Sequence, residues 1–302
     1  MNAKEFIQLP NGEKLAYVKY GSGENNLILL HGNYASSWQY LPLLENLPAD
    51  YTAYAIDLRG YGDSSYYRRI SCLKDFSDDV KHFVDILSIK RFSVIGWSLG
   101  GGVAMQLTAD LKEQVDNLIL ISSTTYKGYP LYKKDDNGIM KFGETYNSAD
   151  ELIDDNYEVK PILEILKKND FDAMKAHLLK YLYINGSKDN TYVDLMTTEA
   201  LKQRNLIDAD FALASFNMGS KHNFYTAGNH DINNIKCPVL HIIGVNDELT
   251  PKYLSLDNYY ALKNNSEYIE FSYCGHSLLV NYLTKTVDSI YDFLERNNTC
   301  VL

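Results

Sequence analysis

The chain has 302 residues, enough for one large α/β domain or for one domain that carries an insertion. Its composition, 45% hydrophobic and 23% charged, is globular, and its net charge of −10 argues against a nucleic-acid or anionic-membrane surface. No run approaches the roughly 18 apolar residues of a membrane span. The start lacks the apolar core of a secretion signal, so we expect a cytoplasmic protein with free thiols at its four scattered cysteines.

The first part of the chain predicts strands and then a regular alternation of helices and strands. We predict strands at 5–9, 14–20, 26–30, 52–58, 91–96 and 117–122, and helices at 36–47, 71–87 and 98–110. Short, continuously apolar runs such as 26–30 are typical of strands buried on both faces. The alternation therefore predicts a mostly parallel sheet with right-handed crossovers.

The alternation stops near Thr124, where helical periodicity without a convincing core strand takes over. We predict helices at 148–158, 161–169, 171–184 and 197–217, the third ended by Asn185-Gly186. The α/β pattern returns with strands at 238–245 and 268–273 and helices near 251–262 and 282–296. We therefore expect an α/β core at 1–123 and 236–302 and a helical insertion at 124–235. The insertion is either a lid or a helical subdomain that never moves.

The stretch "FSVIGWSLGGGVAMQL" (92–107) carries the first candidate functional residue. Ser98 follows a strand at the sheet edge where open parallel sheets bind ligands, with Gly96 and Gly100 on either side. A nucleophile with an exposed Oγ needs a very sharp turn, in which a Cβ at either glycine would clash. The pattern thus predicts a nucleophilic Ser98. The N–H of Leu99 would then lie beside negative charge forming on a substrate.

A serine nucleophile needs a base, and the base needs an acid to orient it. His276 is favoured among seven histidines because it follows a strand in a glycine-containing loop at the sheet edge of Ser98. Asp247 follows strand 238–245 directly and is the favoured acid, with Glu248 as the alternative. The chain order Ser98, Asp247, His276 is that expected of one particular fold.

Five segments carry a family resemblance. They are "LLHGN" (29–33), "DLRGYGDS" (57–64), "GWSLGG" (96–101), "GVNDELTP" (244–251) and "GHS" (275–277). Together they resemble the α/β-hydrolase superfamily, in its lidded group of esterases, C–C hydrolases, lactonases and peroxidase-like enzymes. The resemblance implies an α/β-hydrolase fold and an oxyanion hole in which the backbone N–H of Asn33 joins that of Leu99.

The motifs "GWSLGG" and "DLRGYG" are also similar to those of pimeloyl-acyl-carrier-protein methyl esterase. These motifs serve the sheet and its turn rather than the substrate. The insertion has more Asp and Glu than Lys and Arg and no basic patch for an acidic carrier protein. The similarity therefore does not identify the substrate.

These patterns predict a serine hydrolase that cleaves a small or medium carboxylic ester, thioester or lactone through an acyl-enzyme, without a cofactor or metal. Met and aromatic residues of the insertion suit an adaptable apolar pocket. They are Met140, Met174, Met196, Met218, Tyr126, Tyr129, Phe142, Tyr181, Tyr183, Phe211, Phe216 and Phe224. We expect a small-molecule substrate and a monomer or homodimer. A C–C bond hydrolase of a vinylogous diketone and a triad-retaining ligand receptor are the alternatives.

Overall fold

A computed structural model describes residues 3–183 and 190–298. The strands are β1 (Glu5–Gln8), β2 (Lys14–Gly21), β3 (Asn25–Leu30), β4 (Tyr51–Ile56), β5 (Phe92–Trp97), β6 (Val115–Ile121), β7 (Tyr132–Lys134), β8 (Met140–Thr145), β9 (Val239–Gly244) and β10 (Ser266–Phe271). Eight of them form one sheet in the order β1-β2-β4-β3-β5-β6-β9-β10, and β7 and β8 form a separate hairpin. In the sheet order from β4 to β10 every neighbouring pair is parallel, whereas the β1–β2 and β2–β4 pairs are antiparallel.

The described helices cover both faces of this sheet and the inserted block. They are α1 (Leu41–Leu44), α2 (Leu73–Ile86), α3 (Leu99–Asp110), α4 (Val159–Lys168), α5 (Phe171–Tyr181), α6 (Asn190–Ala200), α7 (Leu206–Ser215), α8 (Lys252–Ala261), α9 (Leu278–Asn281) and α10 (Leu283–Asn298). Among them, none is both long enough and apolar enough to cross a membrane.

Alternate side chains of the central strands supply two hydrophobic layers. In β3, Leu27 and Leu29 join the layer that contains residues of α1 and α10, while Ile28 and Leu30 join the layer of α2 and α3. All four side chains are fully buried. Burying such a side chain contributes about 1.5–3 kcal/mol, so a strand buried on both faces is apolar throughout.

The α/β-hydrolase fold with a mostly parallel sheet is confirmed, and every predicted core strand is present within two residues of its predicted ends. The helix predicted at 36–47 is a 3-10 turn, Ser37–Tyr40, followed by the four-residue α1. In the described part of 124–235, no strand joins the main sheet.

Within 124–235 the helix predictions were partly wrong. The helix predicted at 148–158 is only a 3-10 turn, Asp150–Asp154, and the one predicted at 197–217 is split into α6 and α7. The split occurs because the intervening backbone bonds to the core: the Arg204 N–H donates to the Gly60 carbonyl at 2.9 Å. The predicted helix end at Asn185-Gly186 lies outside the described residues.

The β7–β8 hairpin was not predicted. Its second strand, β8, is exposed along most of its length, so it carries no alternation of buried and exposed side chains. Such alternation is the usual sequence signal of a strand. The hairpin nevertheless contributes to the cavity described below, through Tyr132 and Met140.

The turn between β5 and α3 is sharp, and Ser98 occupies it with a backbone φ of 56° and ψ of −118°. Such a left-handed φ is uncommon outside glycine and costs conformational energy. A Cβ on Gly96 would overlap the Gly100 carbonyl, as the sequence predicted. A Cβ on Gly100 would instead overlap the Leu30 carbonyl at the end of β3. The second glycine is therefore required by the neighbouring strand rather than by the turn itself.

We expect Gly100→Ala to lower the free energy of unfolding by about 3 kcal/mol, because the added Cβ meets backbone that cannot rotate away. Gly102→Ala is the matched control in the same helix. Its Cβ would meet the side-chain methyls Leu73 Cδ1 at 2.6 Å and Thr124 Cγ2 at 2.8 Å. Urea unfolding of both variants measures the difference, and equal losses would contradict the steric explanation.

Candidate active site

The three residues of the predicted triad lie at the carboxyl ends of strands in the same half of the sheet. Ser98 follows β5, Asp247 follows β9 and His276 follows β10. Ser98 and His276 both line one cavity of about 530 Å³. Asp247 and His276 are buried, with exposed fractions of 4% and 3%.

His276 and Asp247 form a hydrogen-bonded pair. Nδ1 of His276 lies 2.8 Å from Oδ2 of Asp247. The other carboxylate oxygen, Oδ1, accepts the N–H groups of Leu249 at 3.0 Å and Thr250 at 2.9 Å. Glu248, the alternative acid, is exposed. Because Nδ1 of His276 is hydrogen-bonded to Asp247, Nε2 is the imidazole nitrogen that remains available for proton transfer in the cavity.

The charge state of Asp247 follows from these contacts. Burial by itself would raise the pKa of this carboxyl, but the adjacent His276 and the hydrogen bonds from Thr250 outweigh it and lower the pKa to about 2. Asp247 is therefore ionised throughout the neutral range. An ionised carboxylate can orient the imidazole and stabilise its protonated form.

Close backbone approach positions the loops that carry this pair. A Cβ on Gly244 would overlap the Gly275 carbonyl, and the Asn246 N–H donates to the Cys274 carbonyl at 2.9 Å. The indole N–H of Trp97 donates to the His276 carbonyl at 3.1 Å. Trp97 is fully buried and thus holds the backbone of the candidate base from beneath the turn.

The two N–H groups predicted for an oxyanion hole lie next to Ser98. Leu99 is the first residue of α3, where backbone N–H groups have no partner within the helix. Asn33 lines the cavity, and the preceding Gly32 is so close that a Cβ there would lie 3.0 Å from Ser98 Cβ. Within the described residues, neither the Asn33 nor the Leu99 backbone N–H donates a hydrogen bond.

The Asn33 side chain connects the core to the inserted block, which the sequence analysis missed. Its Nδ2 donates to Asp210 Oδ1 at 2.8 Å, and its Oδ1 accepts from Tyr61 Oη at 2.8 Å and Gln203 Nε2 at 2.7 Å. Gln203 also accepts the Tyr34 N–H at 3.1 Å. These partners are up to 177 positions away in the chain, so no local pattern could have revealed them.

Asp210 is a titratable group of the cavity that the sequence analysis did not single out. Burial raises its pKa to about 7, and the negative charges of Glu158 and Asp155 contribute to the rise, against the hydrogen bond from Asn33. Carboxyl groups with such raised pKa values occur more often at functional sites than elsewhere.

The inserted block supplies a large part of the cavity wall. Its lining residues include Tyr129, Leu131, Tyr132, Met140, Tyr146, Leu152, Val159 and Leu213. Of the Met and aromatic residues named from the sequence, Met140 and Tyr129 line the cavity. Phe216 and Tyr183 are instead buried in the hydrophobic core.

One cluster among the described residues has the spacing of metal ligands, namely Asp57, Asp63 and Glu199. The ammonium group of Lys4 lies among them, at 2.7, 2.9 and 3.0 Å. The ammonium group thus occupies the position that a metal ion would take, and none of the three carboxylates lines the cavity of Ser98. These residues do not fit a resident metal ion.

Residues 25–281 match the family model described as alpha/beta hydrolase fold. The chain belongs to the α/β-hydrolase family. It is similar to the 2-hydroxy-6-oxononadienedioate/2-hydroxy-6-oxononatrienedioate hydrolase of Paraburkholderia phymatum, at 26% identity over 93% of this chain and 91% of that protein. It is also similar to the pimeloyl-[acyl-carrier protein] methyl ester esterase of Nitrosomonas europaea, at 25% identity over 91% of this chain and 96% of that protein.

Among solved structures, an esterase from Exiguobacterium antarcticum superposes with a TM-score of 0.69 at 19% identity, covering 98% of this chain and all of that one. At that identity the likeness shows the fold alone. Some curated relatives of higher identity match over a shorter stretch, which covers only 38% or 33% of their own length. The fold and the family are thereby established.

Proposed function

We propose that the protein is a serine hydrolase that cleaves small or medium carboxylic esters through an acyl-enzyme. The observation that carries the proposal is the combination of a serine in a strained strand-to-helix turn with the 2.8 Å His276–Asp247 pair beside the same cavity. Nucleophile, base and orienting acid are the three parts that acyl transfer by a serine requires. Membership of the α/β-hydrolase family and relatives named esterase and hydrolase support it.

In the proposed reaction, His276 removes the proton of Ser98 Oγ as that oxygen attacks the ester carbonyl. The backbone N–H groups of Asn33 and Leu99 stabilise the oxyanion. His276 then passes its proton to the leaving alcohol, and the C–O bond breaks to leave an acyl group on Ser98. Water, deprotonated by His276, releases the acid, while ionised Asp247 keeps the imidazole in the required tautomer.

The C–C hydrolase alternative is favoured by the Paraburkholderia phymatum relative, whose name gives a dienedioate substrate. A dioate carries two carboxylates and needs cations to bind it. In the described cavity wall, Lys134 is the only Lys or Arg, and it already pairs with Asp155 at 2.7 Å and Glu158 at 3.0 Å. The charge of this wall therefore supports an ester rather than a dianion.

We further propose that residues 124–235 act as a lid that shapes the acyl pocket. The proposal is supported by the separation of this block from the main sheet and by its share of the cavity lining. A helical subdomain that never moves would shape the pocket equally but would not open. Asn33 accepts a hydrogen bond from Gln203 and donates one to Asp210, so the block also steadies the proposed oxyanion loop.

The first experiment tests the nucleophile. A fluorophosphonate probe is expected to label the wild-type protein once, and Ser98→Ala should abolish labelling and reduce p-nitrophenyl acetate hydrolysis at least about 10⁴-fold. Ser289→Ala, on α10 and away from the cavity, serves as the control and should label normally. Labelling that persists in a folded Ser98→Ala protein would refute the assignment, and absence of turnover in the wild type would favour the receptor alternative.

The second experiment compares the two neighbouring carboxylates. Asp247→Asn should lower kcat by about 10³- to 10⁴-fold, because the imidazole loses both its tautomer control and its stabilising charge. Glu248→Gln is the matched control, since this exposed carboxylate lies one residue away. Steady-state kinetics with one activated ester measures kcat for both variants. A larger effect at Glu248 would show that the acid is misassigned.

The third experiment tests the pocket wall. Tyr132→Ala and Leu213→Ala remove lining side chains of the block, so hydrolysis of longer acyl esters should change while that of acetates is retained. The physical basis is apolar burial, worth about 0.8 kcal/mol per methylene. Ile153→Ala, exposed and outside the cavity, is the control. The measurement is the kinetics of wild type and variants on esters from acetate to decanoate. An equal loss of activity at all acyl chain lengths would contradict the proposal.

A further inference from the structure

We propose that the substrate is an ester that carries an ammonium group, and that Asp210 and the tyrosines beside it bind this cation. The inference rests on the proposed ester hydrolysis and adds the class of substrate. It starts from a carboxylate that has no cationic partner among the residues that the structure describes.

Asp210 lies on α7 and lines the cavity together with Asn33 and Ser98. Its Oδ1 accepts the hydrogen bond from Asn33, whereas its Oδ2 accepts none from any described residue. Among the residues that the structure describes, no Lys, Arg or His lies within ion-pair distance of this carboxylate. A desolvated carboxylate without a cation is stabilised either by taking up a proton or by a ligand that supplies a positive charge.

Most buried carboxylates of the described chain differ from Asp210 in having a cationic or imidazole partner. The pairs are Asp57 with Lys4, Asp79 with Arg59, Asp155 with Lys134, Glu199 with Lys202, Asp208 with Arg69 and Asp247 with His276. Buried Glu13 has no such partner but accepts hydrogen bonds from the Ser65 hydroxyl and from the N–H groups of Tyr67 and Arg68. Asp210 accepts only the hydrogen bond from Asn33 among the described residues, and it faces the cavity that contains Ser98.

Tyrosine side chains line the same cavity as Asp210. Burial raises the pKa values of Tyr34 and Tyr129, and the negative charge of Asp210 raises them further. Both also line the cavity, as do Tyr132 and Tyr146. The face of an aromatic ring attracts a cation, and rings around a carboxylate are a common way to bind ammonium groups.

The remaining charges of the wall favour the same class of ligand. The single positive charge of Lys134 is outweighed by its two partners, Asp155 and Glu158, so the wall is negative overall. A substrate carboxylate would be repelled, and a neutral group would leave Asp210 without a partner. Because Asn33 joins Asp210 to the proposed oxyanion hole, the ammonium group would lie near the reacting carbonyl.

The test uses pairs of esters that differ only in one atom. Choline butyrate and 3,3-dimethylbutyl butyrate carry N⁺ or C at the same position on the alcohol side. Methyl 4-(trimethylammonio)butanoate and methyl 5,5-dimethylhexanoate do so on the acyl side. At pH 8, where Asp210 is mostly ionised, we expect kcat/KM to favour the cationic member of at least one pair by about tenfold.

Asp210→Asn should abolish this preference, so that the cationic member of the pair loses about tenfold more kcat/KM than the neutral member. Asp172→Asn, which removes an exposed carboxylate on α5, is the matched control and should keep the preference. Tyr129→Leu is the second variant, to be used if thermal unfolding shows that Asp210→Asn is not folded, and it should weaken the preference.

The inference is overturned if the wild type shows no preference, if the preference survives in Asp210→Asn, or if both members of a pair lose activity equally. The last result would mean that Asp210 acts only by holding Asn33. If no ester is cleaved, p-nitrophenyl acetate included, the proposed function has failed. Calorimetric binding of tetramethylammonium to wild type and Asp210→Asn then decides the cation site: binding lost in the variant supports it, and no binding to wild type overturns it.

Discussion

The close approach of the turn after β5 to the end of β3 is the constraint on which the candidate site depends. Two glycines permit it: Gly96 makes room for the Gly100 carbonyl, and Gly100 makes room for the Leu30 carbonyl. The turn forces Ser98 into a left-handed conformation and brings the first N–H of α3 beside it. The same approach brings the segment after β3, with Gly32 and Asn33, against the serine. The same close approach of backbone therefore positions both the candidate nucleophile and the proposed oxyanion-hole N–H groups.

The Asn33 side chain extends this arrangement into the inserted block. Three hydrogen bonds, one from Tyr61 in the core and two with Gln203 and Asp210 in the block, give both polar atoms of its amide a partner. A block that only covered the cavity would not need such bonds. In the proposed reaction, acyl selectivity and oxyanion geometry would therefore have different structural bases within the same segment: apolar lining residues for the first, and polar contacts to Asn33 for the second.

Asp247 and Asp210 are both desolvated carboxyls near the cavity, but their charged neighbours differ and shift their pKa values in opposite directions. Asp247 has an imidazole partner and hydrogen bonds from Thr250, and its pKa falls to about 2. Asp210 has one amide donor and negative neighbours, and its pKa rises to about 7. The first arrangement keeps a charge permanently available to His276. The second leaves a charge to be matched by whatever occupies the cavity.

The sequence by itself determined the sheet and the positions of the three candidate catalytic residues. Buried strands are apolar throughout, and a strand-to-helix serine flanked by glycines is a local steric pattern, so both can be recognised from neighbouring residues. The sequence indicated where the inserted block begins and ends but not its internal structure. The exposed strand β8 has no alternating pattern, and the break before α7 depends on hydrogen bonds to the core. Only the tertiary structure decided that Trp97 holds the His276 carbonyl and that Asp210 faces the cavity with no cationic partner among the described residues. Those contacts join residues more than 170 positions apart, and burial and pairing across such distances exist only once the chain has folded.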